Sequence, residues 1–155
     1  MKRKVRTDIV LAAWNALSAS KYGKLDDADK IKVWKISRVL QPVAKKFDED
    51  TKDAGEKLKP TEDFTDRWQK AQEYERVTRD PKADASTLEM GPSEYNEFIK
   101  EMQKYNKLVS DAVKEFAEKE VEIEFEPLTE DSFVKLMNSN DWTFDQVRIL
   151  GEILV

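Results

Sequence analysis

Residues 93–126 read SEYNEFIKEMQKYNKLVSDAVKEFAEKEVEIEFE, and within them one structural periodicity gives way to another. In the first part, apolar residues recur at spacings of 3 and 4, the heptad pattern of a long amphipathic helix. They are Tyr95, Phe98, Met102, Tyr105, Val109, Ala112 and Phe116. From Glu120 to Glu126 glutamate alternates with apolar residues, a period of 2 that only a strand sorts onto two faces. The stretch therefore predicts a long helix followed directly by a short strand over residues 121–125.

The predicted strand needs a partner, because a lone strand is not stable in water. The amino-terminal segment Lys2–Arg6 (KRKVR) offers cations that would lie opposite the glutamates. Residues 86–90 are the second candidate. We therefore expect a small two-stranded sheet formed by the amino terminus and residues 121–125.

A second long helix is predicted over residues 27–58, where Ile36, Leu40, Val43 and Phe47 follow one another at spacings of 4, 3 and 4. Pro42 lies inside this pattern and should kink the helix without ending it. We expect the two long helices to pack as an antiparallel bundle with their heptad seams facing each other.

Shorter elements complete the predicted fold. One helix should start after Thr7 and stop by Gly23, another should cover residues 64–80, and residues 80–93 should form a loop. Two short carboxy-terminal helices should be capped by Thr129 and Thr143. The predicted fold is mainly α, of the α+β kind, with residues 1–155 as a single helical domain.

Composition argues against the common kinds of active site. The 155 residues include no cysteine and no histidine, which removes disulfides, thiolate ligands and the commonest general base and metal ligand. The four glycines are isolated, so no phosphate-binding loop is present. We expect no catalytic, metal or cofactor residues, no enzyme activity and no small-molecule substrate. Neither a signal peptide nor a membrane span is evident, so we expect a protein of the bacterial cytoplasm or of a virion.

Charge is distributed unevenly along the chain. Residues 1–47 carry 12 basic and 4 acidic side chains, although the net charge of the whole is −5. At 100° per residue, five cations of the second helix fall within roughly 140° of one another. They are Lys32, Lys35, Arg38, Lys45 and Lys46. This stripe is a candidate anion-binding site, and its alternatives are a solvated helix face or a surface that meets the glutamate strand.

The heptad seams also allow two interpretations. They can pack within the chain as a hairpin or small bundle, or they can form a coiled-coil surface for self-association or for a protein partner.

The order of elements resembles a family of small uncharacterised bacteriophage and prophage proteins. The resemblance is carried by Lys2–Arg6 running into DIVLAAWNAL at residues 8–17, by residues 30–46, and by residues 121–125 with Leu128-Thr129 and the terminal helices. It covers nearly the full length, and residues 61–93 depart most. It implies a phage-encoded, non-enzymatic helical protein and supplies no active-site residues.

These observations lead to two functional expectations. The first is a phage or prophage accessory protein that acts through protein contacts, in assembly or against a host component. The second is an accessory protein that binds nucleic acid through the basic stripe. The two differ in salt dependence, because phosphate binding weakens steeply as salt rises.

Overall fold

A computed structural model describes the whole chain, residues 1–155, and confirms a mainly helical fold with a small two-stranded antiparallel sheet. In chain order the elements are β1 (Lys2–Arg6), α1 (Thr7–Ser18), α2 (Asp27–Lys57), α3 (Phe64–Arg79), a 3₁₀ turn (Ala85–Thr87), α4 (Pro92–Glu118), β2 (Glu120–Glu124), α5 (Glu130–Asn138) and α6 (Phe144–Leu154). None of the helices combines the length and the apolar content that crossing a bilayer requires.

The sheet pairs the segments that the alternating charges predict. Strand β1 runs antiparallel to β2, with Lys4 opposite Glu122 and Val5 opposite Val121. The Nζ atom of Lys2 lies 3.4 Å from a carboxylate oxygen of Glu122. On the other face Ile123 is buried, so the period of 2 separates a charged face from a core face. The predicted partner of the glutamate strand is confirmed.

One cation of β1 does not face the glutamates. Because side chains alternate along a strand, Arg3 shares the core side of the sheet with Val5. Its guanidinium donates to the backbone oxygen of Val155 at 2.7 Å and also to the carbonyl of Glu152. These oxygens lie at the negative end of α6, where a cation is favoured. Arg3 therefore joins the amino-terminal strand to the last helix.

The residues group into two compact units: residues 1–50 with 114–155 form the first, and residues 51–113 form the second. The first unit has a large apolar core, built around β1, β2, α1, the amino-terminal part of α2, α5 and α6. Its fully buried side chains include Val10, Ile36, Leu40, Leu136, Leu150 and Ile153. Whether the chain unfolds as a single domain is a question of cooperativity, so that expectation stays a prediction.

The second unit has a small core at the contact between α3 and α4. The ring centres of Phe64 and Phe98 lie 5.3 Å apart, and the ring centre of Tyr105 lies 4.9 Å from that of Phe64. The hydroxyl of Tyr105 donates to the carbonyl of Gly55, in the last turns of α2, at 2.5 Å. Aromatic side chains thus dominate the packing of this unit.

The expected burial of the α4 seam against the α2 seam is wrong in detail. Phe98 packs in the second core, whereas Leu40 belongs to the first core and Val43 packs against that first core. Phe98 is also the only buried residue of α4, and the rest of the predicted seam is half-buried. Helix α3 has 16 residues and α4 has 27, so α3 can cover only part of the apolar seam of α4. Heptad spacing identified the apolar face of α4 but not its neighbour.

Helix boundaries follow the local signals at most ends. Helix α2 continues through Pro42, and Thr129 and Thr143 cap α5 and α6 as predicted, the latter in a full capping box with Gln146. Thr7 is not a cap, because its hydroxyl donates to the carbonyl of Lys119 at 2.7 Å. This bond joins the start of α1 to the residue before β2 instead of capping the helix.

Candidate binding face on helix α2

The five predicted cations all lie on α2 within the first unit, but two of them are paired. The Nζ atom of Lys32 lies 3.2 Å from Glu126, which follows β2, and that of Lys46 lies 2.7 Å from Asp50. The hydrogen bond to Asp50 raises the pKa of Lys46, so this ammonium is held in its charged form. These two residues are therefore less available to an external anion.

The other three cations have no carboxylate at ion-pair distance. Lys35, Arg38 and Lys45 are exposed, and none of them forms a salt bridge. Residues 30–47 contain no acidic residue, so nothing on this part of α2 itself neutralises them. The structure thus keeps three of the five predicted cations free.

Two large apolar side chains lie among these cations. Trp34 is 56% exposed and Ile31 is 53% exposed, on the same side of α2 as the free cations. The guanidinium of Arg38 lies 4.9 Å from the centre of the Trp34 ring, a cation–π contact worth about 0.5–1 kcal/mol at an exposed site. We name this surface the α2 face and define it by Ile31, Trp34, Lys35, Arg38 and Lys45.

The charge pattern alone did not identify Ile31 and Trp34. The available signal was their angular position, because at 100° per residue both fall away from the buried side that contains Ile36 and Leu40. Their neighbourhood distinguishes them, because both lie among the free cations of α2.

The α2 face combines features suited to recognition. Its cations can pair with carboxylates or phosphates, and the indole of Trp34 offers a rigid apolar surface. Tryptophan and arginine are the residue types that most often dominate binding energy at interfaces. The residues of the face include no hydroxyl or thiol nucleophile. The α2 face therefore places cations that could pair with an anionic group beside an exposed apolar surface.

A polar cleft of about 280 Å³ lies in the second unit, lined by α3 and the following loop. Among the residues that line it, Lys70 has its Nζ atom 3.3 Å from Asp66 and 3.5 Å from Glu89. The hydrogen bond to Asp66 raises the pKa of Lys70, and the hydrogen bond from Arg76 lowers that of Glu73. Both pKa shifts favour the charged form of the side chain. They therefore disfavour the neutral lysine that a general base requires and the neutral carboxylic acid that a general acid requires.

No protein-family model, no curated protein and no solved structure matches the chain. The resemblance to small phage proteins accordingly stays an expectation, and the function has to be argued from the site.

Proposed function

We propose that the chain is a non-catalytic binding protein that acts through protein contacts, with the α2 face as its contact surface. The observation that carries this proposal is the stacked pair of Trp34 and Arg38, exposed on a helix that is anchored in the core on its other side. Such a pair needs little ordering when a partner docks, because the helix already fixes its backbone and the stacking restricts the arginine.

The free charges specify the chemistry of the partner. Lys35, Arg38 and Lys45 favour a partner surface that carries carboxylates, with an apolar group to cover Trp34 and Ile31. Rim charges of this kind speed association and select among partners, whereas the central tryptophan supplies most of the affinity.

Co-purification from cells that encode the protein tests this proposal. Capture by the wild-type chain is compared with capture by Trp34→Ala and Arg38→Ala. The matched control is Trp68→Ala, which changes another exposed tryptophan, 42% exposed and in the second unit. We expect a specific partner that is lost with the two α2 variants and kept with the control. Equal capture by all four proteins would contradict the proposal.

Nucleic-acid binding is the second candidate function, favoured by the acid-free stretch of residues 30–47 and by a tryptophan placed for base stacking. A gel shift with a single-stranded and a double-stranded 20-nucleotide probe tests it. Phosphate binding through three cations would weaken steeply as salt rises, and Lys35→Ala and Lys45→Ala would each reduce the salt dependence. A shift that is insensitive to salt, or no shift, would contradict this candidate.

The accessory role in a phage or prophage belongs to the same proposal. It is supported by the resemblance of residues 2–17, 30–46 and 121–129 alone, and a gene neighbourhood without phage genes would contradict it.

A further inference from the structure

The outer edge of β2 offers unpaired backbone groups. Met1 and Phe125 exchange two backbone hydrogen bonds, of 2.9 and 3.3 Å, and Thr7 donates to the carbonyl of Lys119 at 2.9 Å. Hydrogen-bonded and non-hydrogen-bonded pairs alternate along an antiparallel ladder, so every second residue between these pairs points its amide and carbonyl outward. The outward-pointing residues are Lys2, Lys4 and Arg6 on β1 and Glu120, Glu122 and Glu124 on β2.

The outward groups of β2 have no hydrogen-bond partner in the chain. The sheet contains only two strands. The amides of Glu120, Glu122 and Glu124 donate no hydrogen bond within the chain, and their carbonyls accept none. All three residues are exposed. The edge is therefore open to solvent and presents the template onto which a further strand can add.

The side chains along this edge select by charge. The three glutamates lie on the same face of the sheet, and of them only Glu122 has a cation at ion-pair distance, Lys2 at 3.4 Å. Glu120 and Glu124 therefore keep unpaired charges next to the open edge. A strand that adds there would place alternate side chains beside these carboxylates.

Strand β1 indicates which pattern β2 accepts. On its inner edge β2 pairs with Lys2–Arg6, in which cations at every second position lie opposite the glutamates. Of the residues between them, Val5 lies opposite Val121, and Arg3 lies opposite Ile123 with its guanidinium bonded to the end of α6. The core-side residues of β2 are themselves apolar, with Ile123 buried and Val121 half-buried, and apolar neighbours suit them. The outer edge presents the same glutamates and the same apolar core-side residues, so a strand in which basic and apolar residues alternate suits it.

We propose that the outer edge of β2 binds an extended peptide segment of a partner protein in which basic and apolar residues alternate. The segment adds as a third strand: its backbone bonds to the outward amides and carbonyls of β2, and its cations pair with the glutamates. This site is separate from the α2 face and does not depend on the function proposed for that face.

A synthetic peptide tests the site on the full chain. The probe is a fluorescent nine-residue peptide, capped at both ends, in which lysine alternates with valine. Its control has the same composition with the lysines grouped at one end. By anisotropy at low salt, we expect the alternating peptide to bind and the grouped peptide to bind at least about tenfold more weakly, because grouping spoils the register. Equal binding of the two peptides, or no binding of either, would overturn the proposal.

Two proline variants separate the edges of the sheet. Glu122→Pro removes one outward amide and one carboxylate of β2, and proline is tolerated where an edge amide faces solvent. Lys4→Pro makes the corresponding change on the outer edge of β1 and is the matched control. We expect Glu122→Pro to weaken peptide binding by about tenfold or more and Lys4→Pro to leave it within about twofold. A similar loss in both variants would overturn the assignment to β2.

Folding and self-association are measured alongside. Circular dichroism establishes whether each variant is folded. If Glu122→Pro is unfolded, Glu122→Gln, which keeps the backbone amide, takes its place. The glutamine variant should bind the peptide more weakly at low salt and lose part of the salt dependence. Sedimentation without peptide examines the other occupant, β1 of a second copy. Concentration-dependent oligomers abolished by Lys4→Pro would overturn the partner peptide in favour of self-assembly.

Discussion

The two units of the chain bury apolar side chains to very different extents. The core of the first unit contains 17 buried residues drawn from both strands, four helices and their connecting segments, whereas that of the second contains four. Burial of apolar surface is the dominant favourable term in folding, so the first unit should hold most of the stability. The second unit, in which Phe64 and Phe98 carry much of the core, should open first.

The largest expected effect comes from deleting residues 1–6, which acts on the first unit. The deletion removes β1, the buried side chain of Val5 and the bonds of Arg3 to the end of α6. Summed over about five hydrogen bonds and one buried valine, the loss should exceed about 5 kcal/mol. We expect the thermal midpoint to fall by about 10–20 °C. An unchanged midpoint would mean that the sheet contributes little to the stability of the first unit.

Phe98→Ala should produce the next largest effect, and it acts on the second unit. Phe98 is 1% exposed and contacts Phe64, so its truncation should destabilise by about 3–5 kcal/mol. Phe144→Ala is the matched control, because that ring is 85% exposed and its removal should change stability by less than about 0.5 kcal/mol. Chemical denaturation measures both. Equal effects of the two truncations would mean that the second core contributes little.

Sequence patterns predicted the first unit better than the second, for identifiable reasons. The alternation of glutamates with Val121, Ile123 and Phe125 has one structural solution, and only Lys2–Arg6 complements it in charge. The apolar seam of α4 identifies which face of that helix is buried, but several other helices have an apolar face that could pack against it. The packing of Phe98 on α3 rather than on the seam of α2 depends on chain connections that periodicity does not encode.

The candidate site was predicted only in part. The cations of α2 follow from charge and angular spacing, but the pairing of Lys32 with Glu126 needs the three-dimensional structure. Trp34 and Ile31 are apolar residues on the polar face of α2. Their position becomes informative only when the buried face of the helix is known. Likewise Asp29, in the first turn of α2, is buried and accepts a hydrogen bond from the hydroxyl of Ser132, a pairing that only the three-dimensional structure shows.

Ser132→Ala probes this buried pair with a smaller expected effect. The substitution removes the hydroxyl that donates to the carboxylate of Asp29, in the interior of the first unit. Leaving a buried acceptor without its donor should destabilise by about 1–3 kcal/mol, as measured by urea denaturation. Ser139→Ala is the control, because that serine bonds only to its own helix at an exposed site. An unchanged stability in Ser132→Ala would show that Asp29 finds another donor.

The smallest expected effect is a pH dependence in the second unit. The hydroxyl of Tyr95 donates to Glu75 at 2.6 Å, and this hydrogen bond raises the pKa of Tyr95 above the usual tyrosine value of about 10. The stabilisation is therefore fully present below about pH 10 and is lost as pH rises through the folded pKa. Absorbance at about 295 nm should show a late-ionising tyrosine that is missing in Tyr95→Phe. If the variant loses an early-ionising tyrosine instead, the hydrogen bond does not form in solution.

Native-state hydrogen exchange tests the difference between the two units most directly. We expect the slowest amides in α1, in α6 and in the buried part of α2 near Leu40, at the free energy of global unfolding. The amides of α3 and of residues 92–113 should exchange through an opening of lower free energy, which Phe98→Ala lowers further. If the amides of α3 exchange at the same free energy as those of α6, the chain unfolds as one cooperative domain and the proposed difference in stability between the units is wrong.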